Sequence, residues 1–310
     1  ITSHKMNTKH IYLGLLGAAL VFMAASCSSN QTEGEKILKQ SDFPAPPVAE
    51  VHPDTFVNFG KQRIDNYYWM KDKTNPKVIE YIKAENAYTD TVMASTRDLQ
   101  QKIYDEILGR IKEDDESYPT YDDGYYYYSR TEKGKQYRTY CRRKGSMDAP
   151  EEVIFDVNKL AAGKQAFIFR GYVISPDNSK AAYFYNETGS YAEFTMKVRD
   201  LASGQDVGFT VEGAASVAWA NDNRTLFYSA IDHTLRSSKI FRRELDAAEG
   251  TLVYEEKDAK FSTYVSATKT KQFIFITCGS STTSDERYIS ADRPTDPFKV
   301  FLPRTKDVEY

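Results

Sequence analysis

Three times in the second half of the chain, a polar turn runs into an apolar and aromatic stretch. Ser175-Pro176-Asp177-Asn178-Ser179 leads into Lys180-Ala181-Ala182-Tyr183-Phe184-Tyr185. Trp219-Ala220-Asn221-Asp222-Asn223-Arg224 leads into Thr225-Leu226-Phe227-Tyr228. Ser266-Ala267-Thr268-Lys269-Thr270-Lys271-Gln272 leads into Phe273-Ile274-Phe275-Ile276. Gly124-Tyr125-Tyr126-Tyr127-Tyr128 is an earlier strand that also follows a turn. A second strand-like run follows each of the three phrases, at residues 195–201, 239–245 and 287–291. The spacing, about 45 to 55 residues with about four strands per unit, is the period of propeller blades. One such unit cannot bury both of its faces, so neighbours must stack. A β-sandwich is the competing fold, and the repetition of one phrase argues against it. The 23 Tyr and 17 Phe against two Trp suit pleated, half-buried surfaces.

Upstream the apolar period changes from that of a strand to that of a helix. Asn75-Pro76 predicts a helix start, with Asn as N-cap and Pro where a missing N–H costs nothing. Val78, Ile79, Ile82 and Asn86 share a face of that helix. Ser95 and Asp98 have capping-box spacing for a second helix, along which Leu99, Ile103, Ile107 and Ile111 recur every four residues. The aromatic cluster Asp65-Asn66-Tyr67-Tyr68-Trp69-Met70 is read as packing. The Gly109–Arg143 stretch (residues 109–143) is where helix gives way to sheet, with Lys133-Gly134 as a break between two strands.

The N-terminus reads as a processing segment. Met6 is read as the start. Lys5, Lys9 and His10 flank an apolar run over residues 11–25, too short for a span of roughly 20 residues. Ala24-Ala25-Ser26 then precede Cys27, the order of a bacterial lipoprotein signal, with cleavage before Cys27 and lipid on its sulfur and amino group. We therefore expect a signal over residues 1–26, lipid attachment at Cys27 and a tether over 27–53, rich in proline towards its end. An ordinary secretory peptide or short anchor is the alternative. The anchored protein would face the periplasm or the cell exterior. The absence of an acidic residue directly after Cys27 favours the outer membrane. A helical segment over 54–115 and a propeller portion over 116–310 complete the expected organisation.

The phrases and their order resemble a known family. Asp65 to Trp69, Asn75-Pro76, Ala84-Glu85-Asn86, Gly109-Arg110-Ile111-Lys112-Glu113-Asp114-Asp115, Gly134-Lys135-Gln136-Tyr137, Cys141-Arg142-Arg143, Leu252-Val253-Tyr254-Glu255-Glu256 and Thr283-Ser284-Asp285-Glu286-Arg287 are together similar to the N-terminal half of oligopeptidase B (protease II). That is a branch of the prolyl oligopeptidase family of serine peptidases. The resemblance implies a seven-bladed propeller over an α/β-hydrolase domain, with the N-terminal helices packed against the latter. It implies that peptides enter and folded proteins do not, and that cleavage follows Arg or Lys, or Pro in the sister branch.

A serine hydrolase needs a nucleophilic Ser on a tight strand-to-helix turn, with Asp and His after it. No Gly-x-Ser-x-Gly occurs in the 310 residues, and the four His are His4, His10, His52 and His233. His4 and His10 fall in the leader, His52 in the tether, and His233 reads as a turn residue. We expect about four of seven blades here, no catalytic residue in this stretch, and no peptidase activity from it alone. The hydrolase domain is expected beyond Tyr310, as a partner alongside oligopeptide substrates. A non-catalytic propeller lipoprotein binding peptides or proteins, and a proline-specific peptidase, are the alternatives. Net charge −3 gives no case for nucleic acid. No Cys or His spacing fits zinc, and Glu113-Asp114-Asp115-Glu116 lacks calcium-loop spacing, so neither metal nor cofactor is expected. That acidic run is read as a solvated turn. Cys141 and Cys278 are read as two part-buried thiols too far apart to pair, and Arg142-Arg143-Lys144 as a strand end facing water.

Overall fold

The computed structural model describes residues 43–310. The signal, Cys27 and the first part of the tether lie outside the described residues. The rest divides between Arg110 and Ile111 into two compact units.

The first unit opens with a hairpin, β1 (Asp54–Asn58) and β2 (Lys61–Asp65), turned by Phe59 and Gly60 at φ 53° and 74°. Both turn residues are left-handed, the two-residue connection that matches strand twist. The aromatic cluster packs back on this hairpin: Tyr68 meets Phe56 at 4.5 Å, and Trp69 meets His52 at 5.2 Å while its Nε1 donates to the Glu50 carbonyl at 3.1 Å. Helix α1 (Pro76–Met93) starts where the sequence predicts, with Asn75 Oδ1 accepting from Lys77 N at 3.0 Å. Helix α2 (Arg97–Leu108) does not start at a Ser95 capping box. Residues Ala94–Thr96 continue the chain as a 3-10 turn with helical dihedrals, so no free N-terminus needs a cap, and Thr96 Oγ1 donates back to the Met93 carbonyl. Leu99, Ile103 and Ile107 all remain about half exposed.

The second unit holds four antiparallel sheets in chain order. Sheet one comprises β3 (Asp115–Glu116), β4 (Thr120–Asp122), β5 (Tyr125–Thr131), β6 (Thr139–Lys144) and β7 (Glu152–Asp156). A short helix, α3 (Val157–Ala161), capped by Asp156, leads to sheet two: β8 (Ile168–Ile174), β9 (Lys180–Asn186), β10 (Thr195–Asp200) and β11 (Asp206–Val211). Sheet three is β12 (Ala214–Trp219), β13 (Thr225–Ile231), β14 (Ser237–Glu244) and β15 (Thr251–Glu255). Sheet four is β16 (Ser262–Ala267), β17 (Phe273–Gly279), β18 (Ser284–Ser290) and β19 (Lys299–Leu302). Sheets two to four are plain meanders, each strand paired with the next.

The second strand of each sheet shows why the sheets stack. Strand side chains alternate between faces. On β9, Ala181 and Tyr183 join a core with Phe155 of sheet one, while Ala182 and Phe184 join one with Trp219 of sheet three. On β13, Leu226 and Tyr228 face sheet two, and Phe227 joins Ile274 and Ile276 of sheet four. A strand covered on both faces reads as a continuous apolar run, which is what Ala-Ala-Tyr-Phe-Tyr and Leu-Phe-Tyr are. Strand β17 breaks the pattern. Ile274, Ile276 and Cys278 are buried against sheet three, but the opposite face has no cover among the described residues. There Phe273, Phe275, Tyr288 and Phe301 form one aromatic patch with centroids 5.6–6.1 Å apart.

Two expectations about side chains change. Arg142 does not face water: it is 6% exposed, donates to Glu152 Oε2 at 2.8 Å and to the Asn178 carbonyl at 2.7 Å, and lies 4.2 Å from the Tyr125 ring. Its register on β6 turns it into the junction of sheets one and two. Cys141 and Cys278 are free and wholly buried rather than part-buried, and burial pushes each thiol up to about 11.

Candidate functional site

The repeated polar phrases fold into the turns that join the first and second strands of their sheets. In sheets two, three and four, Asn178, Asn223 and Lys271 donate their N–H to the carbonyl three residues back and take φ of 61°, 58° and 58°. Asn tolerates this left-handed conformation better than most residues, and Lys271 adopts it as well. Sheet one makes the turn in two residues, Asp123-Gly124, both left-handed.

These four turns are hydrogen-bonded in a closed circuit. Asn178 Nδ2 donates to the Asp123 carbonyl at 3.3 Å, joining sheets two and one. Asp177 N donates to Asn223 Oδ1 at 2.8 Å, joining two and three. Asn221 Nδ2 donates to the Lys271 carbonyl at 2.8 Å, joining three and four. The Lys271 ammonium pairs with the Asp123 carboxylate and joins four to one. The polar residues of the repeat thus bind neighbouring repeats to one another.

Bordering the circuit is a cavity of about 450 Å³ lined by all four sheets, within the usual size range of small-ligand sites. Its wall is aromatic: Tyr127, Tyr172 and Trp219 line it, and Trp219 Nε1 is fixed by the Val173 carbonyl at 3.0 Å. Burial pushes the Tyr172 hydroxyl well above its ordinary range. Tyr127 is raised too, by burial first and by Asp122, against the opposing pull of Arg142; its hydroxyl donates to Asn178 Oδ1 at 2.7 Å. Both phenols stay neutral near pH 7. The charges at the cavity are Asp122, Lys269 and the paired Lys271.

A second polar cluster lies where the end of β15 in sheet three meets sheet four. Glu256, Cys278 and Asp285 bring two carboxylates and a thiol together, a grouping able to ligate a cation. The carboxylates are already engaged. Arg304 bridges Glu256 and Asp285, with its Nε 2.6 Å from Asp285 Oδ2, and Arg287 also pairs with Asp285. Tyr254 donates to Glu256 Oε2 at 3.1 Å, and the Arg304 guanidinium lies 3.6 Å from the Phe261 centroid. Burial alone would raise the Glu256 carboxyl. Hydrogen bonds from Arg304, Asp258 N and Tyr254 outweigh it and hold the group below its ordinary range. Sequence reading missed this cluster because its members lie as much as 48 residues apart.

No acyl-transfer constellation forms among the described residues. His52 pairs with Glu50 at 2.8 Å, and His233 is exposed in the β13–β14 turn, where Asp232 Oδ1 accepts from Thr234 N at 2.8 Å. Neither is hydrogen-bonded to a serine among the described residues. The acidic run is exposed at Asp114, Asp115 and Glu116; Asp114 Oδ1 accepts from Lys133 N at 2.7 Å and so caps the Lys133-Gly134 turn.

The family model for the prolyl oligopeptidase N-terminal beta-propeller domain matches residues 46–310. The chain belongs to the prolyl oligopeptidase family. It is 36% identical over 317 aligned residues to dipeptidyl aminopeptidase BI of Pseudoxanthomonas mexicana, covering 96% of this chain and 42% of that protein. It is 30% identical to protease 2 of Moraxella lacunata, covering 85% of this chain and 40% of that one. The structure of oligopeptidase B from Leishmania major superimposes with a TM-score of 0.79 at 28% identity, over 86% of this chain and 40% of that one. The chain therefore spans about two fifths of the length of these relatives. The family's propeller accounts for the four stacked sheets, and no α/β-hydrolase unit occurs among the described residues.

Proposed function

We propose that these residues are the propeller-bearing part of a serine peptidase that hydrolyses short peptides after Arg or Lys. In that reading the propeller limits access to oligopeptides, and a following α/β-hydrolase domain supplies the triad. The observation that carries it is the match of residues 46–310 to the family's propeller domain. The preference for Arg or Lys is supported by similarity to protease 2 and to oligopeptidase B. A second reading, release of dipeptides from a free N-terminus, is favoured by the greater identity to dipeptidyl aminopeptidase BI. The exposed Leu99-Ile103-Ile107 stripe supports a hydrolase domain packed on α2, since an uncovered apolar stripe of this length marks a contact surface.

The full-length protein tests this with four reporter peptides. We expect rapid release from capped peptides ending in Arg or Lys, and little from the capped Pro peptide. A requirement for a free amino group two residues before the cut would establish the second reading. A full-length reading frame without a Gly-x-Ser-x-Gly motif would leave a non-catalytic peptide-binding propeller.

We further propose that Cys27 carries a lipid that anchors the protein on the periplasmic or outer face, supported by the small residues before it and the polar ones after it. Cys27→Ala is then expected to move the protein from the membrane fraction to the soluble one. Unchanged membrane fractionation would remove the lipid from the scheme.

A further inference from the structure

The aromatic cavity bordered by the turn circuit holds two charges that the fold does not use. Lys271 is neutralised by Asp123 across sheets four and one. Asp122, at the end of β4, and Lys269, in the β16–β17 turn, are exposed, line the same cavity and have no ion-pair or hydrogen-bond partner among the described residues. They come from the first and the last of the four sheets. Tyr127, Tyr172 and Trp219 line the same cavity.

A cavity with one anion, one cation and an aromatic wall is complementary to a molecule with a cationic end, an anionic end and an apolar body. Each charged end would exchange water for a charge-assisted hydrogen bond in a partly desolvated site, where such bonds are stronger than neutral ones. The aromatic rings would cover apolar side chains. We propose that this cavity binds a short unblocked peptide, its carboxylate on Lys269 and its ammonium on Asp122, with a side chain against Tyr127, Tyr172 and Trp219. The choice of a peptide as occupant rests on the peptidase reading above.

The test uses the full-length protein with its catalytic serine capped by an organophosphonate, so that peptide binding at the hydrolytic site is closed off. The probes are the dipeptide Phe-Ala and its N-acetyl, C-amide form, each titrated by calorimetry. Phe-Ala is expected to bind at least tenfold more tightly than the blocked form. Lys269→Met and Asp122→Asn are each expected to weaken Phe-Ala about tenfold and to leave the blocked form unchanged, consistent with loss of one charged hydrogen bond. Both residues are exposed, so both variants should melt as the parent does. Equal binding of the two probes, no binding of either, or variants that bind as the parent would each overturn the proposal. Failure of the peptidase reading shows separately, as a protein that neither reacts with the organophosphonate nor cleaves any reporter; the same titrations on the uncapped protein then decide the cavity alone.

Discussion

Phe275→Asp is expected to act with opposite sign in two settings. In the 310-residue chain, Phe275 lies in the open aromatic face of sheet four with Phe273, Tyr288 and Phe301. A charge there breaks a patch that would otherwise drive self-association, so soluble yield should rise. In the full-length protein that we propose, another sheet of the ring stacks on that face. The same change then removes about 1.5–3 kcal/mol of apolar burial and buries an unpaired carboxylate at several kcal/mol more. Together these are a large part of a domain's stability of about 5–15 kcal/mol. Full-length Phe275→Asp should therefore accumulate as insoluble or proteolysed protein, while Phe275→Leu should accumulate normally. Soluble, cooperatively melting full-length Phe275→Asp would show that nothing stacks on sheet four.

Arg304→Met is expected to lower the stability of the propeller by about 3 kcal/mol, the low end of the usual cost of breaking a buried ion pair, because Glu256 loses its cation while Asp285 keeps Arg287. Arg304 touches both Glu256 and Asp285, which are 6% and 1% exposed. Met retains most of the apolar stem against Phe261, so the loss reports the charge. Urea midpoints of the parent and the variant in the full-length protein measure it. A companion Arg304→Met/Glu256→Gln/Asp285→Asn variant should recover much of the deficit, because neutral amides cost far less to bury than lone carboxylates. The pH dependence follows from Glu256, whose folded pKa lies below its unfolded one. Its stabilising contribution is fully present above the unfolded value and is lost as pH falls through the folded one. The gap between parent and Arg304→Met should accordingly narrow in acid and stay constant from neutral pH upward. A gap that widens in acid would place the stabilisation elsewhere.

How much was legible in the sequence follows from whether each signal was local. Helix α1 could be placed from two residues, Asn75 and Pro76, because a cap acts on backbone groups within one turn. The blade turns could be placed because Pro176-Asp177-Asn178 and Asn221-Asp222-Asn223 state their own dihedral preferences. The β1–β2 hairpin escaped notice because its strands, Asp54–Asn58 and Lys61–Asp65, are short, largely exposed and carry no two-residue alternation; only Phe59-Gly60 marks the bend. Arg142 was misplaced for a related reason. Its neighbours Arg143 and Lys144 suggest a solvated run, and its burial depends on Glu152 of β7 and on the Asn178 carbonyl of the β8–β9 turn.

By itself the sequence determined the class of fold, the number of blades present and the family, because each rests on a phrase repeated along the chain or on motifs in a fixed order. Only the tertiary structure decided which polar residues act together. The turn circuit, the cavity between Asp122 and Lys269, and the Arg304 bridge each join residues from separate strands or sheets. Hydrogen bonds and ion pairs act over a few ångströms, and stacking of the sheets is what brings these groups within that range.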